Sequence, residues 1–598
     1  MIFLSLVLAL SAPVQRADVS NHDKWRVEDL YATKAVWEEE YTRISNAGWN
    51  TLTQYKGNLS NSLGEALKEK FATELQIERL ITYGHLRYDE NLSNGENKSA
   101  NERAMGLYYS YSEAMSWFEP EILQLSDRAI QKVLQDESLK DYHFYISSLM
   151  KMKPYTLSPN EERLLALSGE AMETAGKAFS ILNNADLQFP DAKDKEGNLH
   201  KVSHARYGSI LQGQDSVLRQ NAYDSIQGTY RQYGNTFAQL LSGHVNTHIF
   251  KARARGYPSS LDAALYPKNI DTKVYRQLIQ TVRENLEPLH RYVAMRKEML
   301  GVEKIRLCDF YVPLVENVEM KIPYDEAVDL VVCSLAPLGK EYQDQVRAGL
   351  TTEGWVDRYE NIGKRSGAYS SGCYGSKPYI LMNYDGKIKD MMTLTHEAGH
   401  SMHSFTSHQN QPYPKSQYTI FVAEVASTFQ EEMLFQHLRK TMGEKAQRFL
   451  INYRLDAIRS TLYRQALFAE FELKIHEMAE QGIPLTEAVL SELYGELNRV
   501  YYGPFLEIDE NLKSEWMRIP HFYYNFYVYQ YSTGISAAHA LVKRVSEGHL
   551  EEYMRFLSSG GSDYPLNQLQ KAGVDMRAPD AIRSLVTDFE RLLNEFNQ

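Results

Sequence analysis

The chain has little cysteine, no long apolar segment and no excess of basic residues. Only three of its 598 residues are cysteine (Cys308, Cys333 and Cys373), which excludes a disulfide framework and favours a reducing compartment. The apolar run at residues 2–10 is far shorter than the roughly 20 residues of a membrane span, so no stable membrane association is expected. A net charge of −12 argues against nucleic acid as a partner, because phosphate binding needs concentrated Lys and Arg.

Residues 1–20 form an apolar N-terminal tail. Ile2–Leu10, followed by Ser11 and Ala12, resembles the apolar core and small-residue end of a signal peptide, but no Lys or Arg precedes the run. A disordered extension is the other interpretation of this tail. We therefore expect a cytoplasmic protein, with export as the alternative if the run acts as a signal.

Beyond the tail, apolar residues recur at intervals of three and four, which predicts a mainly α-helical fold. No fixed-period repeat or low-complexity linker interrupts this pattern. The most regular predicted helices are Lys34–Tyr55, Leu63–Leu86, Asn101–Ser116 and Ser158–Phe179.

Short β-strands are predicted at three places. A turn at 195–198 joins Leu187–Phe189 to Leu199–Val202 as a hairpin, and Ile305–Tyr311 is predicted as a strand. The third, Pro378–Tyr384, follows a glycine-punctuated stretch. It is interpreted either as an edge strand that pairs with an extended peptide or as part of a structural hairpin.

Residues 396–400 read His-Glu-Ala-Gly-His. Positions i and i+4 share one face of a helix, so His396 and His400 can bind one metal ion. Glu397 projects about 100° around the same turn and is placed to act as a general base on a metal-bound water. Thr395–Phe405 contains no Pro, whereas Pro412 and Pro414 end the predicted helix.

A third ligand is predicted 24 residues after His400. Glu424 lies in an amphipathic helical pattern, apart from the later acidic pair Glu431 and Glu432. Two antiparallel helices would then supply His396, His400 and Glu424 and leave the fourth tetrahedral position to water, as in catalytic zinc sites. The sequence therefore predicts one catalytic Zn²⁺ per chain.

A second constellation is the aromatic segment 521–531, which reads HFYYNFYVYQY. If it is helical, Tyr524, Tyr527 and Tyr531 fall within an arc of about 60°. Phenols beside the imidazole of His521 can donate hydrogen bonds to a developing oxyanion. The alternative is an aromatic core helix whose hydroxyl groups find internal partners.

The chain resembles oligoendopeptidase F, a branch of the thimet-oligopeptidase-like zinc metallopeptidases. The resemblance covers nearly the whole sequence after residue 20. The segments that carry it are Asp23–Tyr31, Ala254–Leu265, Asp309–Leu314, Gly363–Gly375, His396–Ser404, Phe421–Glu431, Arg464–Glu472, Ile519–Gly534 and Gly560–Pro565.

The resemblance implies a mainly α, two-lobed fold with a deep central channel, a few short β-strands near the active site and a single zinc. It implies an endopeptidase whose substrates are short, unstructured peptides. We assign residues 21–200 to an N-terminal helical region and 201–598 to a catalytic helical domain.

The resemblance also carries roles onto individual residues. It gives metal binding to His396, His400 and Glu424, and the general base to Glu397. His521, Tyr524 and Tyr527 match the family's downstream His and its pair of Tyr spaced by three. The gap between the two constellations differs from the thimet branch, so which tyrosines act is left open.

Two other functions fit parts of the pattern. A dipeptidyl carboxypeptidase of related architecture would need a cationic group for the substrate's terminal carboxylate, and the sequence identifies none. A non-catalytic peptide-binding protein would keep zinc as a structural ion, but such sites normally have four protein ligands, often Cys. The sequence does not predict the oligomeric state.

Overall fold

The computed structural model describes residues 14–315 and 321–598, so the apolar run Ile2–Leu10 lies outside the described residues. The mainly α-helical fold is confirmed. The helices are α1 (Lys34–Ala47), α2 (Asn50–Thr53), α3 (Leu59–Glu90), α4 (Gly95–Ala114), α5 (Phe118–Gln124), α6 (Asp127–Gln135), α7 (His143–Lys151), α8 (Pro159–Met172), α9 (Thr174–Ile181), α10 (His204–Gln212), α11 (Ser216–Gln232), α12 (Gly234–Arg255), α13 (Ser260–Leu265), α14 (Thr272–Arg283), α15 (Glu287–Leu300), α16 (Tyr324–Ser334), α17 (Lys340–Thr351), α18 (Ile388–Asn410), α19 (Ile420–Thr441), α20 (Glu444–Ile458), α21 (Arg464–Glu480), α22 (Glu487–Tyr502), α23 (Glu510–Lys513), α24 (Tyr529–Ser546), α25 (Leu550–Ser558), α26 (Pro565–Lys571) and α27 (Asp580–Phe596).

The strands are few and short: β1 (Ala192–Lys193), β2 (Leu199–His200), β3 (Val356–Asp357), β4 (Tyr369–Ser371) and β5 (Tyr379–Leu381). Across residues 14–315 and 321–598, no helix is both long and apolar enough to span a bilayer.

The chain folds into two compact units, each assembled from three segments. Among the described residues, the first unit takes in residues 14–150, 321–438 and 544–563. The second takes in residues 151–315, 439–543 and 564–598. The regions 21–200 and 201–598 do not coincide with these units, and as functional regions they remain a prediction.

A large aromatic and aliphatic core lies in the first unit. Trp37 of α1 is fully buried there, and its indole N–H donates to the carbonyl of Leu80 in α3 at 3.0 Å. Tyr379 and Leu381 of β5 belong to the same core. This strand precedes α18 directly, so the core fixes the start of the helix that carries the metal-binding motif.

The first unit contains a three-stranded sheet in the order β3-β5-β4. β3 pairs with β5 in parallel, and β4 pairs with β5 antiparallel, with Ser370 opposite Ile380. The predicted edge strand Pro378–Tyr384 is therefore wrong in its position: its strand β5 is central, because it is buried and paired on both sides. Of the two edge strands of this sheet, β4 is the one nearer to the His-Glu-Ala-Gly-His motif.

A buried ion pair fixes the end of this sheet. The carboxylate of Asp357 accepts from Arg16 at 2.7 Å and pairs with the ammonium group of Lys364 at 2.7 Å. The Lys364 side chain is 0% exposed and also donates to the carbonyls of Tyr359 at 2.6 Å and Met382 at 2.5 Å. All three ammonium protons thus have acceptors, which offsets the cost of burying the charge.

The second unit corrects two strand predictions. The hairpin is present, but its first strand is β1 instead of Leu187–Phe189. Ile305–Tyr311 is not a strand: Ile305 makes a single bridge to Leu506, and Leu307–Tyr311 forms a 3-10 helix. The Asp309 side chain accepts from the backbone N–H of Arg306 at 2.9 Å, which favours the helical turn over an extended chain.

Two predicted helices are divided. Lys34–Tyr55 breaks after Ala47, where Gly48 has a positive φ of 59°. Ser158–Phe179 is split into α8 and α9 at Glu173. The helix predicted at Leu63–Leu86 is confirmed as part of α3, and that predicted at Asn101–Ser116 is confirmed as part of α4 up to Ala114, where α4 ends.

Candidate active site

The His-Glu-Ala-Gly-His motif lies in the middle of α18. The helix begins beside Asp390, whose carboxylate accepts from the backbone N–H groups of Asp385 and Lys387, each at 3.0 Å. An acidic side chain in the first turn satisfies N–H groups that have no partner within the helix. α18 ends at Asn410, before Pro412, as the sequence predicts.

The backbones of α18 and α19 approach each other closely at Gly399. A Cβ atom on Gly399 would lie 2.6 Å from the Ser427 Cα and 2.7 Å from the Ala426 carbonyl oxygen. Only a residue without a side chain permits this backbone contact. Ser427 follows Glu424 by less than one turn, so the contact sets how near Glu424 comes to the two histidines.

Three ligand atoms converge between these helices. The Nε2 atoms of His396 and His400 lie 3.4 and 3.7 Å from Oε2 of Glu424. All three ligand atoms lie within 4.8 Å of one another. Zinc bonds of about 2.0–2.1 Å in a tetrahedron place neighbouring ligand atoms roughly 3.4 Å apart, so this donor set fits such an ion.

Glu431 orients the first histidine. It lies two turns after Glu424 on α19, and its carboxylate is in hydrogen-bond contact with Nδ1 of His396. An Nδ1–H that donates to Glu431 leaves the lone pair of Nε2 directed towards Glu424. Metal-binding histidines commonly have such a carboxylate partner.

The histidines differ in electrostatic environment. Burial lowers the pKa of His396, but the hydrogen bond to Glu431 and the charges of Glu431 and Glu424 outweigh it and raise the pKa to about 9. Burial, reinforced by the charge of His396, lowers the pKa of His400 to about 4. A proton on His396 competes with a metal for the imidazole, so metal binding is expected to release a proton.

Glu397 lies on the same turn but is 6% exposed. Burial raises the pKa of its carboxyl to about 7, with the charge of His396 opposing and that of Glu424 in support. The backbone of Ser370 in β4 lies near this carboxyl and opposes the rise in its pKa. The Ser370 hydroxyl lies 2.8 Å from that of Ser401, so β4 is tied to α18 just after the motif.

The aromatic segment lies in the second unit and does not form the predicted helix. Pro520–Tyr523 forms a 3-10 turn, and α24 starts only at Tyr529. Between them, Asn525 and Phe526 have positive φ angles of 49° and 54°. The predicted arc on one helix face is therefore wrong.

The rings nevertheless cluster. The His521 centroid lies 5.6 Å from that of Tyr524, 6.3 Å from Tyr527 and 5.9 Å from Tyr531. The Tyr531 hydroxyl is 3.5 Å from His521 Nε2. Tyr524 is 55% exposed, so its hydroxyl is accessible from solvent.

Comparison with known proteins decides the family. The model of peptidase family M3 matches residues 209–586, and that described as Oligopeptidase F matches residues 121–189. The chain belongs to peptidase family M3. This M3 peptidase lies in the oligoendopeptidase F branch and is a metalloendopeptidase.

Individual relatives agree along almost the whole M3 chain. It is 42% identical to Oligopeptidase PepF of Bacillus subtilis, over 98% of this chain and 88% of the relative. It is 37% identical to Group B oligopeptidase PepB of Streptococcus agalactiae, over 97% of each. The structure of oligoendopeptidase-F from Enterococcus faecium matches 94% of this chain and 98% of its own, with a TM-score of 0.74 at 36% identity.

The M3 site contains residues that the sequence reasoning missed. The sequence pattern predicts Glu431 only as one of an acidic pair, although its spacing of seven residues from Glu424 places both on one side of α19. The pattern does not predict the glycine of the motif as a helix contact. Ser370 gives no sequence signal, because its contact with Ser401 joins residues 31 apart in the chain.

Proposed function

We propose that this M3 peptidase is a zinc-dependent oligoendopeptidase that hydrolyses internal bonds of short, unstructured peptides. The observation that carries the proposal is the convergence of His396, His400 and Glu424 beside the buried carboxyl of Glu397. One zinc per chain fits this donor set. Bound zinc would polarise the peptide carbonyl and lower the pKa of a coordinated water.

Glu397 is the proposed general base and acid. A carboxyl with a pKa near 7 can accept a proton from water and return it to the leaving amine at neutral pH. The contact between Ser370 and Ser401 holds β4 against the helix that carries this carboxyl, and Glu431 orients His396. These contacts hold the reacting groups before substrate binds, so little reorganisation is needed during the reaction.

β4 is the proposed peptide-pairing strand. It lies at the edge of its sheet, and an extended peptide can add to such an edge through backbone hydrogen bonds alone. Binding of this type accepts many sequences, which suits an oligopeptidase.

His521, Tyr524 and Tyr527 are proposed to stabilise the oxyanion of the tetrahedral intermediate. The family resemblance assigns this role, and the ring cluster supports it by holding the imidazole and phenols together. A location in the cytoplasm remains part of the proposal.

Substitution of single residues tests the metal site. Glu397→Gln should retain zinc yet lose turnover by orders of magnitude, because the amide cannot accept the proton. His400→Ala and Glu424→Ala should lose zinc as well. Metal analysis beside single-turnover kinetics separates the two classes, and a Glu397→Gln protein with near-normal turnover would contradict the assignment.

A peptide with both ends blocked and an internal fluorophore–quencher pair tests the type of cleavage. An endopeptidase cuts it, whereas a dipeptidyl carboxypeptidase needs a free C-terminus and a peptide-binding protein leaves it intact. Mass spectrometry of the products identifies the bond. Cleavage confined to peptides with a free C-terminus would favour the carboxypeptidase alternative.

A further inference from the structure

The loop that carries the aromatic cluster has an unusual backbone. Among the described residues, the non-glycine residues with positive φ are Asn269, Asn525 and Phe526, and only the last two are consecutive. The left-handed region brings Cβ close to the backbone carbonyl, so two such residues in succession are unfavourable unless their surroundings hold them. Both lie between Tyr524 and Tyr527 and thus set the relative direction of these side chains.

A buried carboxylate holds this backbone. Glu472 of α21 is 0% exposed, and its Oε1 accepts from the backbone N–H of Phe526 at 2.5 Å. In residues 14–315 and 321–598 the second oxygen, Oε2, has no hydrogen-bond partner, and Glu472 forms no ion pair. A buried carboxyl that serves no helix cap and no cation is costly, so its contact with Phe526 needs an explanation.

The Phe526 side chain is fixed by the same turn of α21. Its ring is 2% exposed and lies 4.4 Å from that of His476 and 5.6 Å from that of Tyr275, measured between centroids. His476 follows Glu472 by one turn, and its Nδ1 lies 2.8 Å from the Glu472 carbonyl oxygen. The amide and the ring of Phe526 are thus both held by this turn.

We propose that Glu472 is a positioning residue for catalysis. By accepting from the Phe526 amide it stabilises the left-handed turn and thereby pre-orients Tyr524, Tyr527 and His521. Burial also raises the pKa of Glu472 to about 8, and the interaction needs only a lone pair, which the protonated acid also offers. The proposal rests on the proposed function of these donors.

Two substitutions at residue 472 separate the hydrogen bond from simple packing. Glu472→Gln keeps an acceptor oxygen and should retain kcat within about threefold, whereas Glu472→Met fills the space without an acceptor and should lower kcat about tenfold or more with little change in KM. In the Met variant, hydrogen exchange at the Phe526 amide should become faster. Bound zinc and the thermal unfolding transition report whether each variant is folded.

Glu470→Met is the matched control. Glu470 is also a buried carboxylate on α21, but it pairs with Arg283 at 2.6 Å and accepts from the Tyr501 hydroxyl at 3.0 Å. Its loss should lower thermal stability without altering Phe526 amide exchange or kcat. If it slows turnover as much as Glu472→Met does, the effect belongs to the helix and the proposal is overturned.

Double variants distinguish this proposal from the function on which it rests. If Glu472 acts through Tyr527, then Glu472→Met should reduce kcat much less in a Tyr527→Phe background than in the wild type. Unchanged kcat in Tyr524→Phe, Tyr527→Phe and His521→Ala would refute the donor role itself. Faster Phe526 exchange with wild-type kcat in Glu472→Met, or unchanged exchange, would refute positioning by Glu472.

Discussion

Replacement of Gly399 by alanine tests whether the contact between α18 and α19 sets the metal geometry. The added Cβ would lie 2.6 Å from the Ser427 Cα, about 0.9 Å short of the ~3.5 Å at which carbon atoms attract. The nearest atoms all belong to the α19 backbone and cannot rotate away. The helices must therefore separate by several tenths of an ångström.

That separation exceeds what a metal site tolerates. Ligand distances in such sites hold to about 0.2 Å, and Glu424 sits on the displaced helix close to Ser427. We expect Gly399→Ala to weaken zinc binding and to lower kcat/KM by about 10-fold or more, since a misplacement of about 1 Å can cost roughly 100-fold. Overpacking should also reduce the free energy of unfolding by about 1–3 kcal/mol.

Chelator competition measures the zinc affinity, and cleavage of a quenched peptide under zinc saturation measures kcat/KM. Gly106→Ala is the matched control, because Gly106 lies inside α4 with no atom within 4 Å of its added Cβ. It should leave activity unchanged and raise stability by about 0.5–1 kcal/mol. Wild-type zinc affinity and turnover in Gly399→Ala would refute the argument that this helix contact sets the ligand positions.

Three further predictions concern the first unit. Glu431→Ala should weaken zinc binding or activity about 10- to 100-fold, because His396 loses its orienting partner. Glu431→Gln keeps an acceptor and should lose less zinc affinity. Equal losses of affinity for the two variants in a zinc titration would contradict this. Asp357→Asn should lower the free energy of unfolding at pH 7 by about 3 kcal/mol. Burial raises the pKa of Asp357, but Arg16 and Lys364 outweigh it and hold the pKa below its usual value. The greater free energy of unfolding of the wild type should therefore be present above pH ~4 and disappear as the pH falls further. Denaturant titrations that give the same stability difference at every pH would oppose this. Removal of zinc by chelation should abolish peptide cleavage and leave the far-UV circular dichroism largely unchanged, and full activity of verified metal-free protein would exclude a catalytic ion.

The sequence predicts those parts of the site that depend on helical periodicity. His396, His400 and Glu424 come together because a four-residue spacing on one helix and an amphipathic pattern on the next determine which faces meet. The sequence does not predict the role of Glu431, because that role depends on His396, which lies 35 residues earlier on a neighbouring helix.

The helix predicted for the aromatic segment is wrong for a different reason. Its turn at Asn525 and Phe526 contains no Gly, the usual signal for positive φ. The left-handed conformation there is held by Glu472 and by the His476 and Tyr275 rings that pack against Phe526, and these residues lie in distant parts of the sequence. β5 was likewise recognised as a strand, but which strand is central in a sheet depends on its neighbours.

Lys364 provides a chemical reporter of motion near the metal helix. Its ammonium group is enclosed by Asp357 and by the carbonyls of Tyr359 and Met382, which follow β3 and β5, so an acylating reagent cannot reach it while this end of the sheet is closed. Modification of Lys364 therefore requires a local opening of β3 and β5, and the labelling rate measures the free energy of that opening. Exposed lysines on the same molecule, such as Lys340 with 80% of its side chain accessible, calibrate the reagent in the same digest. One acylation time course thus measures how often the strand that leads into the His-Glu-Ala-Gly-His helix comes apart in the native enzyme.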